Sequence, residues 1–557
     1  MSSTTATAPA GAASKPVKPY AWFVLAFLCF IYIFNFLDRQ LMSVLTTYIK
    51  EDLKLSDSEI GLMTGLLFAL FYTLLGVVAG WMADKTKRIN ILAAGAFVWS
   101  LFTLLCGRAT TFPVMATARM GVGVGEACGA PPSYSIVSDY FPAEKRGLAL
   151  ALFSLGVPFG MALGAYLGPT IAEAYGWRMA FTSIGAVGMV ASILLFLFVK
   201  EPTRGAMDDL DIHMEEAPAI HITPPDTFNN KLNQFFGRPM LLATAVPAGL
   251  SAFVGYALLN WTVPYLQREF GMPAYKEVAL AYSLELAIAM GLGTWLSGQF
   301  VDILVRRSKV WYALLPAVAL GLSLPFFIGF VTAKSIWVAL AFLAAPTFLN
   351  IMYLAPALAL VQNSVKADQR TMAGAMLLLV LNLIGLGGGP TFIGIMSDHA
   401  NANLLQQAGL TVEACRAAVK PAACGPASFQ GLQHAFLWLA PVYVLAVIGQ
   451  LIEAFFVRRE LKTGAPTQDQ IARNARAFKL IVGFGGILVV LVAEWFLFKE
   501  PVSRDIAAIQ GVFSGAKLTP QITNGLVRDL LMTLMLVIGL FGLVDVFQGG
   551  KAKAATA

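Results

Sequence analysis

The sequence contains little charge for its length. Of 557 residues only 13% are Asp, Glu, Lys or Arg, whereas 57% are hydrophobic. Because a soluble domain carries about 25% charged residues to cover its surface, this composition excludes an ordinary soluble fold and predicts a surface solvated by lipid. Fifty glycines and 39 phenylalanines agree with this interpretation, since membrane helices pack through small residues and face lipid with large apolar ones.

Residues that build most catalytic and metal sites are also scarce. His213, His221, His399 and His434 form no local motif, and the five cysteines show no zinc-type spacing. No glycine cluster continues into a phosphate-binding Gly-Lys-Ser/Thr, and the net charge of +7 includes no basic stretch interleaved with aromatics. We therefore expect no enzyme activity, no cofactor other than a coupling proton, no metal and no nucleic-acid partner.

Apolar runs of about 20 residues, long enough to cross a bilayer as helices, are the main feature of the chain. The first six lie near 20–48, 58–82, 90–107, 112–138, 147–170 and 178–199. The next six lie near 240–266, 277–301, 310–332, 335–361, 371–397 and 431–457, and two more follow near 478–498 and 526–547. The sequence thus predicts fourteen transmembrane helices.

This pattern predicts an all-α integral membrane protein in which two six-helix bundles are followed by two additional C-terminal helices. The expected order is a disordered tail (1–19), a first bundle (20–200), a linker with acidic residues and prolines (201–239), a second bundle (240–460) and a C-terminal extension (461–557). The polar linker is the natural boundary between the two bundles.

Basic residues collect in loops that follow even-numbered predicted spans. Groups of Lys and Arg follow the second, fourth, eighth and twelfth predicted spans, at 85–88, 145–146, 306–309 and 458–462. Loops rich in positive charge stay in the cytoplasm. We therefore expect a multi-pass protein of the cell inner membrane with both termini cytoplasmic.

The cysteines add one open question. Cys29, Cys106 and Cys128 lie inside apolar runs and are expected to be small packing residues. Cys415 and Cys424 share a polar loop that we expect outside the cytoplasm, where disulfides persist. The sequence leaves open whether these two are bonded.

The two halves of the chain carry related loops. Residues 80–88 (Gly-Trp-Met-Ala-Asp-Lys-Thr-Lys-Arg) and 298–307 (Gly-Gln-Phe-Val-Asp-Ile-Leu-Val-Arg-Arg) both place Asp four positions after Gly, with a basic pair soon after. Residues 143–146 (Ala-Glu-Lys-Arg) are matched in the same way by 367–370 (Ala-Asp-Gln-Arg). The offsets, 218 and 224 residues, are close, which indicates the duplicated halves of a membrane transporter.

The loop at 80–88 resembles the signature of the major facilitator superfamily. Within that superfamily, residues 35–39 (Asn-Phe-Leu-Asp-Arg), 119–126 (Arg-Met-Gly-Val-Gly-Val-Gly-Glu) and 176–178 (Gly-Trp-Arg) resemble the spinster family. The resemblance implies a major facilitator fold of two pseudo-symmetric bundles and a monomeric core. Animal members are similar to exporters of sphingosine phosphate and lysophospholipids that protons drive or modulate. The two extra helices depart from the usual twelve.

The same resemblance implies a cytoplasmic gate, because in the superfamily the Asp of the signature loop is held by basic groups and a facing helix N-terminus. The residues of this expected gate are Gly80, Asp84, Lys85, Arg88, Arg146, Asp302, Arg306 and Arg307.

Four charges within the predicted spans need an explanation, since each costs about 2.5–3.5 kcal/mol at the bilayer centre. They are Asp38 and Arg39 in the first span and Arg119 and Glu126 in the fourth, with Asn35 one turn from Arg39. We interpret them as a coupled site, in which an arginine binds an anionic head group and a carboxylate exchanges a proton. The alternative is two buried ion pairs that only hold helices together.

The second half has fewer such groups. Asn350 stands where the fourth span has its charges, and Asn260 and Trp261 correspond to the first span. A cavity charged on one wall and apolar on the other suits an amphiphile, although a small substrate beside ordinary packing fits too. Glu285 and His434 are secondary candidates for protonation, or satisfied groups at helix interfaces.

The sequence therefore predicts a proton-coupled secondary transporter that works by rocker-switch alternating access. The expected substrate is an amphiphilic anion of the lysophospholipid or sphingosine-phosphate type, and the partner is the lipid bilayer. The alternative is a proton-coupled carrier of a small organic anion, such as a carboxylate or sugar acid.

Overall fold

A computed structural model describes residues 17–207, 233–365, 370–416 and 421–479 of the chain. The described part is helical. Eleven of its helices are long and apolar enough to cross a membrane. A twelfth crossing consists of two shorter helices, Phe112–Glu126 and Ala130–Tyr140. We number the crossings α1 to α12, and both parts of an interrupted helix carry one number. The predicted spans near 478–498 and 526–547 lie outside the described residues, apart from the first two residues of the former.

In the first half, the crossings are α1 (Pro19–Val44), α2 (Asp57–Thr64 and Leu66–Lys85), α3 (Arg88–Cys106), α4 (Phe112–Glu126 and Ala130–Tyr140), α5 (Ala143–Ser154 and Gly156–Tyr175) and α6 (Trp177–Phe198). A short helix, Thr46–Leu53, joins α1 to α2.

In the second half, they are α7 (Pro239–Gly271), α8 (Tyr275–Val305), α9 (Trp311–Thr332), α10 (Ile336–Leu349 and Leu354–Asn363), α11 (Arg370–Leu381 and Gly389–Gln407) and α12 (Cys424–Leu437 and Leu439–Thr463). A single turn at Asn350–Tyr353 joins the parts of α10, and a wide π-helical segment at Asn382–Gly388 joins those of α11.

The interruptions follow from particular residues. The sequence predicts one continuous fourth span, but α4 stops at Glu126 and resumes at Ala130. Pro131 and Pro132 lack backbone N–H groups, so they cannot continue the hydrogen bonds of the first part and instead fit the first turn of a new helix. Between α7 and α8, Gly271 has φ 84°, a conformation that only glycine adopts at low cost.

The helices of the first half pack closely on one another. Helix α1 runs along α5, and α3 lies between α4 and α6. The close approach of α1 and α5 depends on glycines spaced four apart. A Cβ at Gly160 would lie 2.8 Å from Phe36 Cβ, and one at Gly164 would lie 2.7 Å from Gln40 Cβ. This glycine-lined face of α5 is therefore a helix-packing surface.

The described residues form two compact units. The first comprises those within Met1–His221, Ala245–Leu360 and Leu377–Leu451, and thus helices of both halves. The second comprises those within Ile222–Thr244, Val361–Met376 and Ile452–Ala557. The domain boundaries expected from the sequence stay a prediction.

Inside the second unit, the chain folds as an amphipathic helix over 468–479. It buries Ile471 and Ala475, its Asn474 donates a hydrogen bond to the carbonyl of Gly237 (3.1 Å), and the rings of Phe236 and Phe478 stack 4.8 Å apart.

In the loop between α11 and α12, Cys415 and Cys424 form a disulfide. It closes the loop over a small apolar cluster that includes Leu404, Leu405 and Ala427. The question that the sequence left open is thus answered.

Candidate functional site

The charges of α1 and α4 lie together inside the first half. Arg39 Nε is 2.5 Å from Glu126 Oε2, and their side chains are 11% and 0% exposed. The break in α4 directly after Glu126 leaves this residue at a helix end. The pair therefore joins the C-terminal third of α1 to the point where α4 is interrupted.

A second pair lies beside the first. Arg119 Nη1 is 3.9 Å from Asp38 Oδ1, and both side chains are buried. The hydroxyl of Thr103 on α3 donates a hydrogen bond of 2.6 Å to Asp38 Oδ2. Asn35, one turn before Asp38 and Arg39 on α1, is buried as well. The two opposite-charge pairs expected from the sequence are present.

Several atoms of this cluster have no hydrogen-bond partner among the described residues. They are Glu126 Oε1, Asp38 Oδ1, and Nε and Nη1 of Arg119. Buried polar atoms in proteins are nearly always hydrogen-bonded, and a buried charge is costly to leave without partners. The cluster therefore has unused capacity to bind water, a proton or an anion.

Aromatic rings surround Arg39. Its Cζ lies 4.6 Å from the ring centre of Tyr72, 4.9 Å from Phe36 and 5.1 Å from Phe68. Such cation–π contacts attract a guanidinium without neutralising it. In the second half, Tyr256 on α7 lies close enough to interact electrostatically with Arg39 and Glu126.

The prediction from the sequence considered charged residues in the spans of the first half, and so it did not identify these aromatic rings as part of the site. Phe68 and Tyr72 stand four residues apart, so they share one face of α2, and that spacing was an available signal. Tyr256 was harder to find, because only the fold brings α7 beside α1.

Most candidate site residues of the second half are buried between its own helices. Trp261 is fully buried, and its indole N–H donates to the carbonyl of Pro390 on α11 (2.9 Å). Asn260 Nδ2 donates to the carbonyl of Tyr256 (2.9 Å). Trp261 thus stabilises the α7–α11 contact in this conformation. It does not line the apolar cavity wall that the sequence led us to expect in the second half.

Both polar atoms of the Asn350 side chain are hydrogen-bonded. Its Nδ2 donates to the hydroxyl of Tyr443 (2.9 Å), and its Oδ1 accepts from Ser323 (2.8 Å). This trio lies between α9, α10 and α12 and is buried. A buried amide whose partners are present stabilises helix packing, so Asn350 belongs to the interior of the second half.

Glu285 and His434 lie apart from the charged cluster. Glu285 on α8 is partly buried, with the hydroxyl of Thr347 on α10 at 3.5 Å. His434 is exposed on α12 and lines a groove with His399. The structure does not bring either residue to the pairs of α1 and α4.

The face of the molecule that carries residues 80–88 is called the basic face. Here Arg88 is buried and ties three elements together. It contacts Asp139 at the end of α4 (2.5 Å) and Glu201 after α6 (2.7 Å), and Glu201 also accepts from the N–H of Ile89 (2.9 Å). Sequence reasoning missed the two acidic partners, which are 51 and 113 residues away.

The other expected gate residues are placed as follows. Gly80 has open space where a Cβ would stand, Arg146 Nε donates to the carbonyl of Ser138 (3.1 Å), and Lys85 is exposed. The side chain of Asp84 is not described. The three gate residues of the second half are exposed: Asp302, Arg306 and Arg307.

The face that carries the α1–α2 connection is called the opposite face, and here charges join the two halves. Both Oδ atoms of Asp57, at the start of α2, accept from the guanidinium of Arg268 on α7, each at 2.7 Å. Lys50 Nζ lies 2.5 Å from the same carboxylate, and Ser397 donates to it (2.7 Å). Asp57 is only 2% exposed.

Asp398 on α11 completes this opposite-face cluster. Its carboxylate accepts from the backbone N–H groups of Asp57 (3.1 Å) and Ser58 (2.7 Å) and from the Ser58 hydroxyl (2.6 Å). It therefore sits on the positive end of α2. The sequence gives no sign of this cluster, since Arg268 and Asp398 lie more than 200 residues from Asp57.

Comparisons with known proteins agree with this architecture. The family model described as Major Facilitator Superfamily matches residues 28–390. An MFS-type efflux pump of Mycolicibacterium smegmatis is 29% identical over 388 residues, which cover 70% of this chain and 87% of the pump. Protein spinster homolog 3 of Danio rerio is 28% identical, covering 68% and 77%.

Two further relatives bear on the function. A probable galactarate/D-glucarate transporter of Escherichia coli is 27% identical over 336 residues, covering 57% of this chain and 72% of that protein. A crystal structure of a bacterial homologue of the human lysosomal transporter Spinster, inward-facing and unoccupied, has a TM-score of 0.70 and 27% identity. It covers 80% of this chain and 99% of its own. With the family match, the helical architecture and these relatives, the chain belongs to the major facilitator superfamily of membrane transporters, within its spinster family.

Proposed function

We propose that this protein is a proton-coupled secondary transporter of an amphiphilic anion of the lysophospholipid or sphingosine-phosphate type. The observation that carries the proposal is the buried Arg39–Glu126 pair, with unsatisfied atoms on Glu126 and on the neighbouring Arg119. A buried pair of this kind can open only if each partner gains a replacement.

Coupling follows from this exchange. An anionic head group that binds the Arg39 guanidinium takes the place of Glu126. The carboxylate, 0% exposed, then loses its partner, and an isolated buried charge costs several kcal/mol. Taking up a proton removes that cost. Substrate and proton thus enter the site together, while the Thr103 hydroxyl and Arg119 hold Asp38 in place.

The amphiphile is favoured by the distribution of charge. The two arginines and two carboxylates all come from α1 and α4, whereas α7 contributes the aromatic Tyr256 to the same place. A head group would meet the first half, and a chain would extend toward the second half.

Alternating access explains the opposite-face cluster. Asp57, Arg268 and Asp398 join α2 to α7 and α11 in this conformation, and we propose that they separate when the protein opens on that side.

The proposed location is the inner membrane, with both termini and the basic face in the cytoplasm and one copy of the chain as the working unit. The solved homologue is inward-facing, which agrees with closure on the face opposite the cytoplasm.

A sugar acid is the second candidate. The relative from Escherichia coli named as a probable galactarate/D-glucarate transporter supports it, because an arginine pair beside a carboxylate would bind a small dicarboxylate equally well.

Uptake by purified protein in liposomes separates the two candidates. Lysophospholipids, sphingoid phosphates, galactarate and D-glucarate are offered with and without a pH gradient, to wild type and to Glu126→Gln. We expect accumulation of a lipid-like anion that depends on the gradient in wild type alone. Accumulation of the sugar acids instead would select the second candidate. Equal gradient-driven accumulation by Glu126→Gln would refute the coupling.

A further inference from the structure

A groove between α11 and α12 has no part in the proposed transport site. It encloses about 600 Å³, a volume typical of ligand sites. Its polar lining consists of exposed side chains from both helices: His399, Asn403, Gln407 and His434. Leu437 and Trp438 complete the wall, and the closed disulfide loop borders it through Leu404.

The depth of the groove corresponds to the edge of the hydrocarbon layer. The α12 crossing, Cys424–Thr463, has 40 residues and is about 60 Å long, about twice the hydrocarbon thickness of about 30 Å. If the excess is shared between its ends, each extends about 15 Å beyond the hydrocarbon. His434 lies ten residues, or about 15 Å, from Cys424, and so stands at the level of lipid head groups.

The polar side chains at this level all offer hydrogen-bond donors. Neutral imidazole has one N–H, and each Asn or Gln amide has two. A phosphate diester only accepts hydrogen bonds, so it complements such a set. Three or more His, Cys, Asp or Glu side chains suited to a metal do not come together anywhere in the described part of the chain, which makes an ion the poorer fit for the groove.

An apolar track continues from the groove toward the bilayer centre. Trp438 is 55% exposed, and Leu445 and Ile448, two and nearly three turns further on, are 56% and 47% exposed. Residues at this spacing share one face of a helix. Trp at the boundary of the hydrocarbon is typical of membrane proteins. A molecule with its phosphate among the donors would thus have a place for its chains.

We propose that this groove binds a phospholipid of the surrounding bilayer, with its phosphate hydrogen-bonded by His399 and His434 and its chains along Trp438. The site is separate from the charged cluster of α1 and α4, and the proposal does not depend on the transported substrate. It also places a lipid on α11, the helix whose other side carries Asp398 of the opposite-face cluster.

Native mass spectrometry of the full chain in mild detergent, titrated with phosphatidylglycerol, tests the proposal. We expect one lipid to bind to wild type and its affinity to fall at least about tenfold in His399→Leu/His434→Leu, because two donors to a charged acceptor are removed. Trp438→Ala should also weaken binding. Trp295→Ala, an equally exposed Trp on α8, is the matched control and should leave it unchanged.

Other results would overturn the proposal. Equal binding by the double variant, or competition by glycerol 3-phosphate without chains, would rule out a phospholipid site. Preference for a lysophospholipid would make the groove part of the transport route. Since the substituted side chains are exposed, their loss should not unfold the protein. An azide-bearing phosphatidylglycerol mapped on wild type provides an independent test, with adducts expected on the peptide that contains residues 434–441.

Discussion

Neutralising Asp57 should open the opposite face. In Asp57→Asn, the guanidinium of Arg268 loses two charge-assisted bonds of 2.7 Å and Lys50 loses one of 2.5 Å. Breaking a buried ion pair by removing one partner costs about 3–5 kcal/mol. The cost falls on the closed state alone, because the two cations regain water once the halves separate.

Even the lower of these two costs predicts a large change in the ratio of open to closed molecules. A shift of about 3 kcal/mol changes the ratio of open to closed molecules roughly a hundredfold, since about 1.4 kcal/mol corresponds to a factor of ten. The change should be visible wherever the closed state hides a side chain. Ser43 is such a position, being 1% exposed with its hydroxyl 2.8 Å from the carbonyl of Asn260 on α7.

The assay is the rate at which a bulky polar maleimide labels Ser43→Cys in nanodiscs, corrected for the parent protein with its native cysteines. Asp52→Asn is the matched control, because it removes the same charge from an exposed pair with Arg178 on the same face, and exposed pairs contribute little. We expect much faster labelling with Asp57→Asn and little change with Asp52→Asn. Equal rates in both backgrounds would refute the assignment of Asp57 to closure.

Three single contacts can each be tested by substitution. Gly61→Ala places a Cβ 2.6 Å from a carbonyl of α11, so it should also speed labelling at the closed face. Thr103→Val leaves an oxygen of buried Asp38 without its donor, which should lower stability by about 1–3 kcal/mol in thermal unfolding, and Thr103→Ser should restore it. Cys415→Ser opens a nine-residue loop closed by Cys424; a loss of about 2–3 kcal/mol should appear as a lower melting temperature that reductant no longer changes.

Much of the fold could be predicted because lipid leaves a strong pattern in sequence. A run of apolar residues is sufficient to identify a span, and the repeated loops at 80–88 and 298–307 indicated the duplication. Breaks within spans were not predictable in the same way. Pro131 and Pro132 could have indicated the interruption of α4, but the apolar run on both sides of them predicted a continuous helix.

The candidate site was only partly predictable. Buried charge is rare enough in a span that Arg39 and Glu126 could be singled out, and the structure pairs them. Aromatic residues are common in spans, so the spacing of Phe68 and Tyr72 was a weaker signal than a buried charge, and Tyr256 had no signal at all. The position of Trp261 in the chain matches α1, but only the structure shows that its indole N–H lies inside the α7–α11 contact.

The opposite-face cluster could not be found from sequence because its partners are distant. Asp57 and Arg268 are 211 residues apart, and Asp398 follows 340 residues after Ser58. Charges in loops are ordinary, and only the packing of α2 against α7 and α11 makes these three a unit. Only the folded structure brings these three residues together.

Substrate-induced proton uptake shows whether an anion replaces Glu126 as the partner of Arg39. The transported anion, once identified by liposome uptake, is added to purified protein in weakly buffered detergent solution, and the pH change is recorded for wild type and Glu126→Gln. If the anion displaces Glu126 from Arg39, wild type takes up about one proton per bound substrate, whereas Glu126→Gln binds without uptake. Binding to wild type with no proton uptake, or the same uptake in both proteins, would show that Glu126 does not take up a proton when the anion binds.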